Sequence, residues 1–254
     1  MSALKNKVAI VTGASSGIGF STAKLFAREG ARVVVGARRQ SQLDELVEEI
    51  AAEGGEAVVL AGDVKDADYA HALVELATSH YGGLDVAFNN AGILGAPGPI
   101  TEMTLAEWDE TIATNLSSAF LCARYQIPAM QKRGGGSIIF TSSFVGYTAG
   151  MPGMAAYSAS KAGLIGLSQS LAAEYGSAGI RVNALLPGGT DTAMSRQFAS
   201  TPESLAFVQG LHAMKRIADP DEIAQSALYL ASAQSSFTTG TAMLVDGGVS
   251  INRT

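Results

Sequence analysis

Tyr157 and Lys161 stand four residues apart in a stretch with helical spacing, so they share one face of a helix. A phenol titrating near pH ~10 is a poor acid or base at neutrality, and a neighbouring ammonium favours its ionised form. The pair therefore reads as a general acid in carbonyl reduction and a general base in alcohol oxidation, with Lys161 tuning Tyr157. Ser142 and Ser143 close an apolar run, where a hydroxyl is placed to polarise a carbonyl oxygen. Spacing alone leaves both serines open, beside the plainer reading of two polar turn residues. Asn115 lies inside a long helical pattern, where Asn is a poor choice. It suits a position where its amide holds a water or the backbone in a proton relay, or where core neighbours satisfy it.

These side chains need a scaffold, and the chain alternates strand-like and helix-like segments from end to end. Strands are expected at 8–12, 32–36, 56–64, 84–89, 137–142, 180–186 and 242–245. Helices are expected at 18–30, 41–54, 66–81, within 105–133, and at 155–176 and 220–231, with a helical excursion at 192–214. Such alternation predicts βαβ units and an α/β, doubly wound parallel sheet with helices on both faces. Ligands of these sheets bind beyond the carboxyl ends of the strands, where Gly13, Asp63, Asn89, Ser143 and Pro187 fall.

Gly13, Gly17 and Gly19 lie between the first strand and the first helix. Glycine lets a backbone turn sharply and approach a ligand, and the helix start then offers N–H groups to a pyrophosphate. The second strand ends in Val35-Gly36-Ala37-Arg38-Arg39 without a carboxylate. A carboxylate there would bind the ribose 2′-hydroxyl of NAD, whereas arginine suits the 2′-phosphate of NADP. NADP(H) is therefore favoured, with NAD(H) as the alternative, and Lys161 is placed to hold ribose hydroxyls. Asp63 and Val64 follow the third strand. Asp63 reads equally as an acceptor for the adenine amino group, with Val64 packing on the ring, or as a helix cap.

The set Thr12-Gly13-Ala14-Ser15-Ser16-Gly17-Ile18-Gly19, Asn89-Asn90-Ala91-Gly92, Asn115, Ser142-Ser143, Tyr157-x-x-x-Lys161 and Pro187-Gly188 closely resembles the short-chain dehydrogenase/reductase family over residues 7–248. The resemblance implies a Rossmann-type sheet in strand order 3-2-1-4-5-6-7 and a catalytic tetrad of Asn115, Ser143, Tyr157 and Lys161. Ser143 is preferred because Gly146 completes the family's S-x-x-G pattern, and the loop 147–154 absorbs one extra residue before Tyr157. The resemblance also implies that Gly13, Ser15, Ser16, Gly17, Ile18 and Gly19 cradle the pyrophosphate. Asn89 would lie on the adenosine ribose side, with Ala91 and Gly92 on the cofactor floor. Pro187 and Gly188 would pack by the nicotinamide, with Thr190 backbone and the Thr192 hydroxyl near its carboxamide.

The expected activity is hydride transfer between NADP(H) and a small-molecule carbonyl or secondary alcohol. The alternatives are an NAD-preferring alcohol dehydrogenase, an epimerase that uses the cofactor transiently, and a non-catalytic NADP-sensing regulator. The 254 residues read as one dinucleotide-binding unit, with a substrate lid at about 190–215. There Met194, Phe198, Phe207 and Leu211, with Met151 and Met154, either line an apolar pocket or pack the lid on its surroundings. Lysine and arginine number 17 against 23 acidic residues, with no basic stripe, so nucleic acid is not expected as a partner. No apolar run reaches membrane-spanning length and no Cys/His cluster suggests a metal. The lone Cys122 reads as a small buried hydrophobe in a cytoplasmic protein. His212 reads as a surface or loop residue. The resemblance suggests a homotetramer paired through the long helices.

Overall fold

The computed structural model describes residues 2–253. Seven strands follow in chain order: β1 Val8–Thr12, β2 Arg32–Ala37, β3 Glu56–Ala61, β4 Val86–Asn89, β5 Gly136–Thr141, β6 Ile180–Pro187 and β7 Ala242–Val245. All neighbours run parallel, in the order β3-β2-β1-β4-β5-β6-β7. The expected Rossmann-type α/β arrangement is thus the one observed. Parallel strands covered on both faces need apolar residues at every position, and β1 is buried throughout. Burying each Val or Ile of such a strand stabilises by ~1.5–3 kcal/mol.

The helices are α1 Gly17–Arg28, α2 Gln40–Ala52, α3 Ala67–Tyr81, α4 Leu105–Ile112, α5 Ser118–Arg133, α6 Ala155–Tyr175, α7 Pro202–Leu211 and α8 Pro220–Ala231. Alternation along the strands assigns each side chain to one of two cores. Ala9, Val11, Val33, Val35, Val86 and Phe88 pack with α1, α2 and α8. Val8, Ile10, Val34, Ala87, Ile138 and Phe140 pack with α3, α5 and α6. The chain leaves β1 for β2 and β3 on one side, then crosses to β4 on the other. The crevice at this reversal lies over the ends of β1 and β4.

Most bounds shift by one or two residues, and larger departures fall at β3, at the helix expected within 105–133 and at the 192–214 excursion. β3 stops at Ala61, leaving Gly62, Asp63 and Val64 on a loop rather than in the strand. The helix expected within 105–133 contains a π-helical turn, Ala113–Ser117, between α4 and α5. The 192–214 excursion holds only a short 3-10 turn, Ser195–Gln197, and α7. Among the described residues, no helix is long and apolar enough to cross a membrane.

Candidate active site

The loop from β1 to α1 seats by its glycines. Gly13 and Gly17 have φ of +66° and +57°, a region costly for any residue with a Cβ. A Cβ at Gly13 would lie 2.9 Å from Ala91 Cα, and one at Gly17 2.9 Å from Thr192 Cγ2. Gly19 lies directly beneath the Gly13 carbonyl. The caps of α3 and α8 are made by Asp66 and Asp219, and that of α4 by Thr104. Ser16 at the start of α1 makes no such side-chain bond, so this first turn keeps its N–H groups for a ligand. Gly13, Ser15, Ser16, Gly17 and Ile18 all line a cleft of about 960 Å³.

Arg38, Arg39, Asp63 and Val64 line the same cleft at the ends of β2 and β3. Arg39 folds back over the glycine loop. Its guanidinium donates to the hydroxyls of Ser15 (2.9 Å) and Ser16 (3.1 Å) and to the Ser15 carbonyl (3.2 Å). Asp63 is not the cap of α3, because Asp66 fills that position by accepting from Asp68 N–H at 2.9 Å. Asp63 instead accepts from Lys65 N–H at 3.0 Å and keeps an edge on the cleft.

At the end of β4 the two asparagines divide the work. Asn89 is 8 % exposed, and its amide exchanges two 2.9 Å hydrogen bonds with Gln126 of α5. It does not face the cleft, which corrects the expectation of a ribose contact. The cleft wall is Asn90, whose backbone N–H donates to Thr12 Oγ1 at 3.0 Å and whose Oδ1 accepts from Thr141 at 3.1 Å. Asn90 thereby ties β1, β4 and β5 together at their carboxyl ends. Ala91 and Gly92 follow it along the cleft. A Cβ at Gly92 would come within 3.1 Å of Asn115 Oδ1 and 3.3 Å of Lys161 Nζ.

Ser143, Tyr157 and Lys161 converge beside this floor. The Tyr157 hydroxyl lies near the Ser143 side chain; burial raises its pKa above the ordinary phenol value, and the neighbouring Ser143 hydroxyl opposes the rise. Lys161 is 5 % exposed and donates to the Thr141 carbonyl at 2.7 Å, with Nζ 5.6 Å from the Tyr157 ring centre. Burial lowers its pKa from 10.5 to about 8. The geometry separates the two serines. Ser142 spends its hydroxyl on the Lys161 carbonyl at 2.7 Å, whereas Ser143 accepts from Val145 N–H at 3.1 Å and meets Tyr157. The residues after Ser143 close a tight turn in which Gly146 N–H donates to Ala149 O at 2.9 Å, which accommodates the longer interval before Tyr157.

Asn115 falls in the π-helical turn, a local irregularity that is frequent at functional sites. Its Oδ1 accepts from Ile93 N–H at 2.8 Å; its Nδ2 donates to Ile93 O at 2.8 Å and Ser160 Oγ at 3.0 Å. Of the tasks open to it, the amide holds backbone: it clamps the loop segment that follows Gly92 to α6. Cys122 is 3 % exposed and burial pushes its thiol up to about 12, the state of an inert core residue.

At the end of β6, Pro187, Gly188, Thr190 and Thr192 line the cleft, together with Gly189. The Thr192 hydroxyl accepts from Ser195 N–H at 3.2 Å, which leaves its own proton free to be donated. Met151, Met154, Met194, Phe198, Phe207 and Leu211 also reach the cleft. His212 is neither exposed nor on the surface. It is 2 % exposed and bonded at both ring nitrogens, a placement with no local sequence signal because one partner, Gly189, lies 23 residues earlier.

Comparison with known proteins agrees with this layout. A family profile described as enoyl-(acyl carrier protein) reductase matches residues 13–250. An A-factor type gamma-butyrolactone 1′-reductase (1S-forming) of Streptomyces virginiae is 42 % identical over 98 % of this chain and 97 % of its own. A cyclohexanol dehydrogenase of Acinetobacter sp. (strain SE19) is 39 % identical over 95 % of this chain and 94 % of its own. A solved structure provisionally assigned as an NAD(P) dependent gluconate 5-dehydrogenase from Beutenbergia cavernae, with NADP bound at low occupancy, superposes with a TM-score of 0.92. It is 36 % identical and covers 97 % of this chain and 98 % of its own. With the sheet order β3-β2-β1-β4-β5-β6-β7, these matches show that the chain belongs to the short-chain dehydrogenase/reductase family and is an oxidoreductase acting on an alcohol or carbonyl compound.

Proposed function

We propose that the protein is an NADP(H)-dependent oxidoreductase interconverting a small, uncharged, apolar carbonyl compound and its secondary alcohol. The observation that carries this reading is the meeting of Ser143 and Tyr157, with Lys161 behind them, in the same cleft as the uncapped first turn of α1. The residues fit a dinucleotide. The glycine loop leaves a cradle without Cβ atoms, and the α1 turn offers N–H groups to a pyrophosphate. Arg39 borders that loop, and Arg38 stands exposed at the cleft mouth with no ion pair among the described residues. Two arginines and no carboxylate at the tip of β2 favour the 2′-phosphate of NADP over the 2′-hydroxyl of NAD.

Bound there, the reduced cofactor supplies a hydride to the carbonyl carbon. Ser143 and Tyr157 hold the carbonyl oxygen, and the Tyr157 hydroxyl gives up its proton as negative charge grows on that oxygen. Lys161, fixed on the Thr141 carbonyl, stabilises the phenolate left behind. Asn115 keeps the Gly92–Ile93 backbone in register with α6, so the floor under this group does not shift. Burial keeps Tyr157 protonated at neutral pH, the form reduction needs; oxidation needs the phenolate and is favoured as pH rises.

The charged side chains on the cleft gather at the mouth, as Arg38, Arg39 and Asp63, or at the centre, as Lys161. The far end, with Met151, Met154, Phe198 and Phe207, presents apolar surface suited to an uncharged substrate. The lactone reductase and cyclohexanol dehydrogenase relatives point the same way, towards a cyclic compound. The segment 190–215 serves as the lid of a single unit spanning 1–254. A cytoplasmic homotetramer completes the reading, supported by Leu105 and Phe120, 74 % and 51 % exposed on α4 and α5.

Parallel titration with NADPH and NADH, followed by nicotinamide fluorescence, tests the cofactor assignment. NADPH is expected to bind at least about tenfold tighter, a preference that Arg38→Asp removes. Tighter NADH binding would overturn the NADP assignment, and binding of neither would overturn the oxidoreductase reading.

A further inference from the structure

His212 follows α7 and is almost fully buried, yet no step above uses it. Its Nδ1 donates to the Val208 carbonyl at 2.8 Å, within α7. Its Nε2 accepts the Gly189 N–H at 2.9 Å. A carbonyl must receive a proton and a backbone N–H must give one, so both contacts exist only for the neutral ring carrying its hydrogen on Nδ1. Gly189 sits in the turn after β6. Its carbonyl is already fixed by Ala218 N–H at 2.8 Å, and the preceding Gly188 N–H is fixed on Val245 O at 3.0 Å. The ring is pressed against the turn: a Cβ at Gly189 would lie 2.9 Å from His212 Cε1. Among the described residues, His212 is the side chain that takes the Gly189 N–H.

We propose that His212 is a positioning residue that couples the substrate cover to the cofactor, its neutral imidazole fastening the end of α7 to the Gly188-Gly189-Thr190 turn. The inference rests on the NADP(H) reading, which places that turn beside the nicotinamide. It makes cofactor affinity depend on a residue at the substrate end of the cleft.

The charged groups around the ring do not replace the tie. Asp246, beyond β7, has its carboxylate committed to Gly248 N–H at 2.9 Å and Ser250 N–H at 3.1 Å. Arg216, on the loop after His212, pairs with Glu222 of α8 at 2.6 Å. Lys215, on the same loop, donates to Gly210 O at 3.0 Å. Asp191, just past the turn, pairs with Arg196 at 2.9 Å. Asp219 and Glu203 stand at the starts of α8 and α7.

The test compares the native protein with His212→Gln and His212→Leu, measuring NADPH dissociation constants and thermal midpoints. A glutamine amide oxygen reaches the position of Nε2 and accepts from Gly189. His212→Leu is expected to weaken NADPH binding about tenfold, equivalent to ~1.4 kcal/mol. His212→Gln should stay within about threefold of the native protein. A His212→Leu protein that binds as tightly as the native one overturns the proposal. So does a folded His212→Gln protein that binds NADPH about tenfold more weakly than the native one, a result that stands even if the leucine variant does not fold. Failure of the native protein to bind NADPH at all would overturn the cofactor reading, and this inference with it.

Discussion

Lys161→Met carries a prediction whose sign reverses with pH. In the fold, burial holds the Lys161 ammonium proton only to about 8, against 10.5 ordinarily. Below pH 8 the folded chain therefore bears the full cost of a desolvated charge, ~3 kcal/mol at 1.36 kcal/mol per decade. Between 8 and 10.5 the unfolded state binds more protons than the native state, so native stability rises across that window. Methionine removes the charge but leaves the Thr141 carbonyl without its 2.7 Å donor, at a cost of about 1–3 kcal/mol. At pH 7 the variant should be more stable than the native protein by ~1 kcal/mol, a rise in thermal midpoint of about 2–4 °C. By pH 10 the order should invert, with the native protein ahead by ~1–2 kcal/mol. Urea denaturation of both proteins at pH 7, 8, 9 and 10 reads this directly. A stability difference that stays constant over the series would refute the buried-ammonium argument. The variant should also lose turnover by about 10²–10⁴-fold, since Tyr157 is left with no nearby cation.

The two serines should separate cleanly. Ser143→Ala removes a donor to the substrate oxygen and should lower kcat by about 10²–10³-fold, and it lowers stability by about 1–3 kcal/mol because the buried Val145 N–H loses its acceptor. Ser142→Ala leaves the chemistry within a few-fold and lowers stability by ~0.5–1.5 kcal/mol, because only its bond to the Lys161 carbonyl is lost; the opposite pattern in the kinetics would reverse the assignment. Asn89→Leu strands the buried Gln126 amide and should destabilise by ~2–3 kcal/mol while NADPH affinity holds within about twofold. A large loss of affinity in a stably folded Asn89→Leu protein would return Asn89 to the cofactor.

Much of this layout is legible in the amino-acid order because the sheet imposes simple parity. Continuous apolar runs mark strands buried on both faces, and the glycines after β1 mark the backbone approach. The same parity explains the error at Asn89. Ala87 faces α5 and Phe88 faces α1, so Asn89 returns to the α5 side, where Gln126 waits. Ser142 obeys the rule too, sharing the face of Ile138 and Phe140 and pointing to α6. Asn is a poor helix-interior residue, and Asn115 lies in the π-helical turn rather than in regular helix, bonded to Ser160 of α6. His212 does follow α7 in a loop, but its burial is hidden from the sequence for a related reason. A histidine whose partners are a carbonyl four residues back and an N–H on a distant turn carries no motif, and only tertiary contact reveals it.

We propose Tyr157 as the proton donor of a hydride-transfer reaction whose cofactor is held elsewhere in the cleft. Single-turnover reduction of an alicyclic ketone by NADPH, compared between the native protein and Tyr157→Phe with NADPH affinity measured on the same samples, separates the two roles. The chemical step is expected to fall about 10³-fold with the NADPH dissociation constant nearly unchanged. Near-native turnover by Tyr157→Phe would remove Tyr157 from the chemistry.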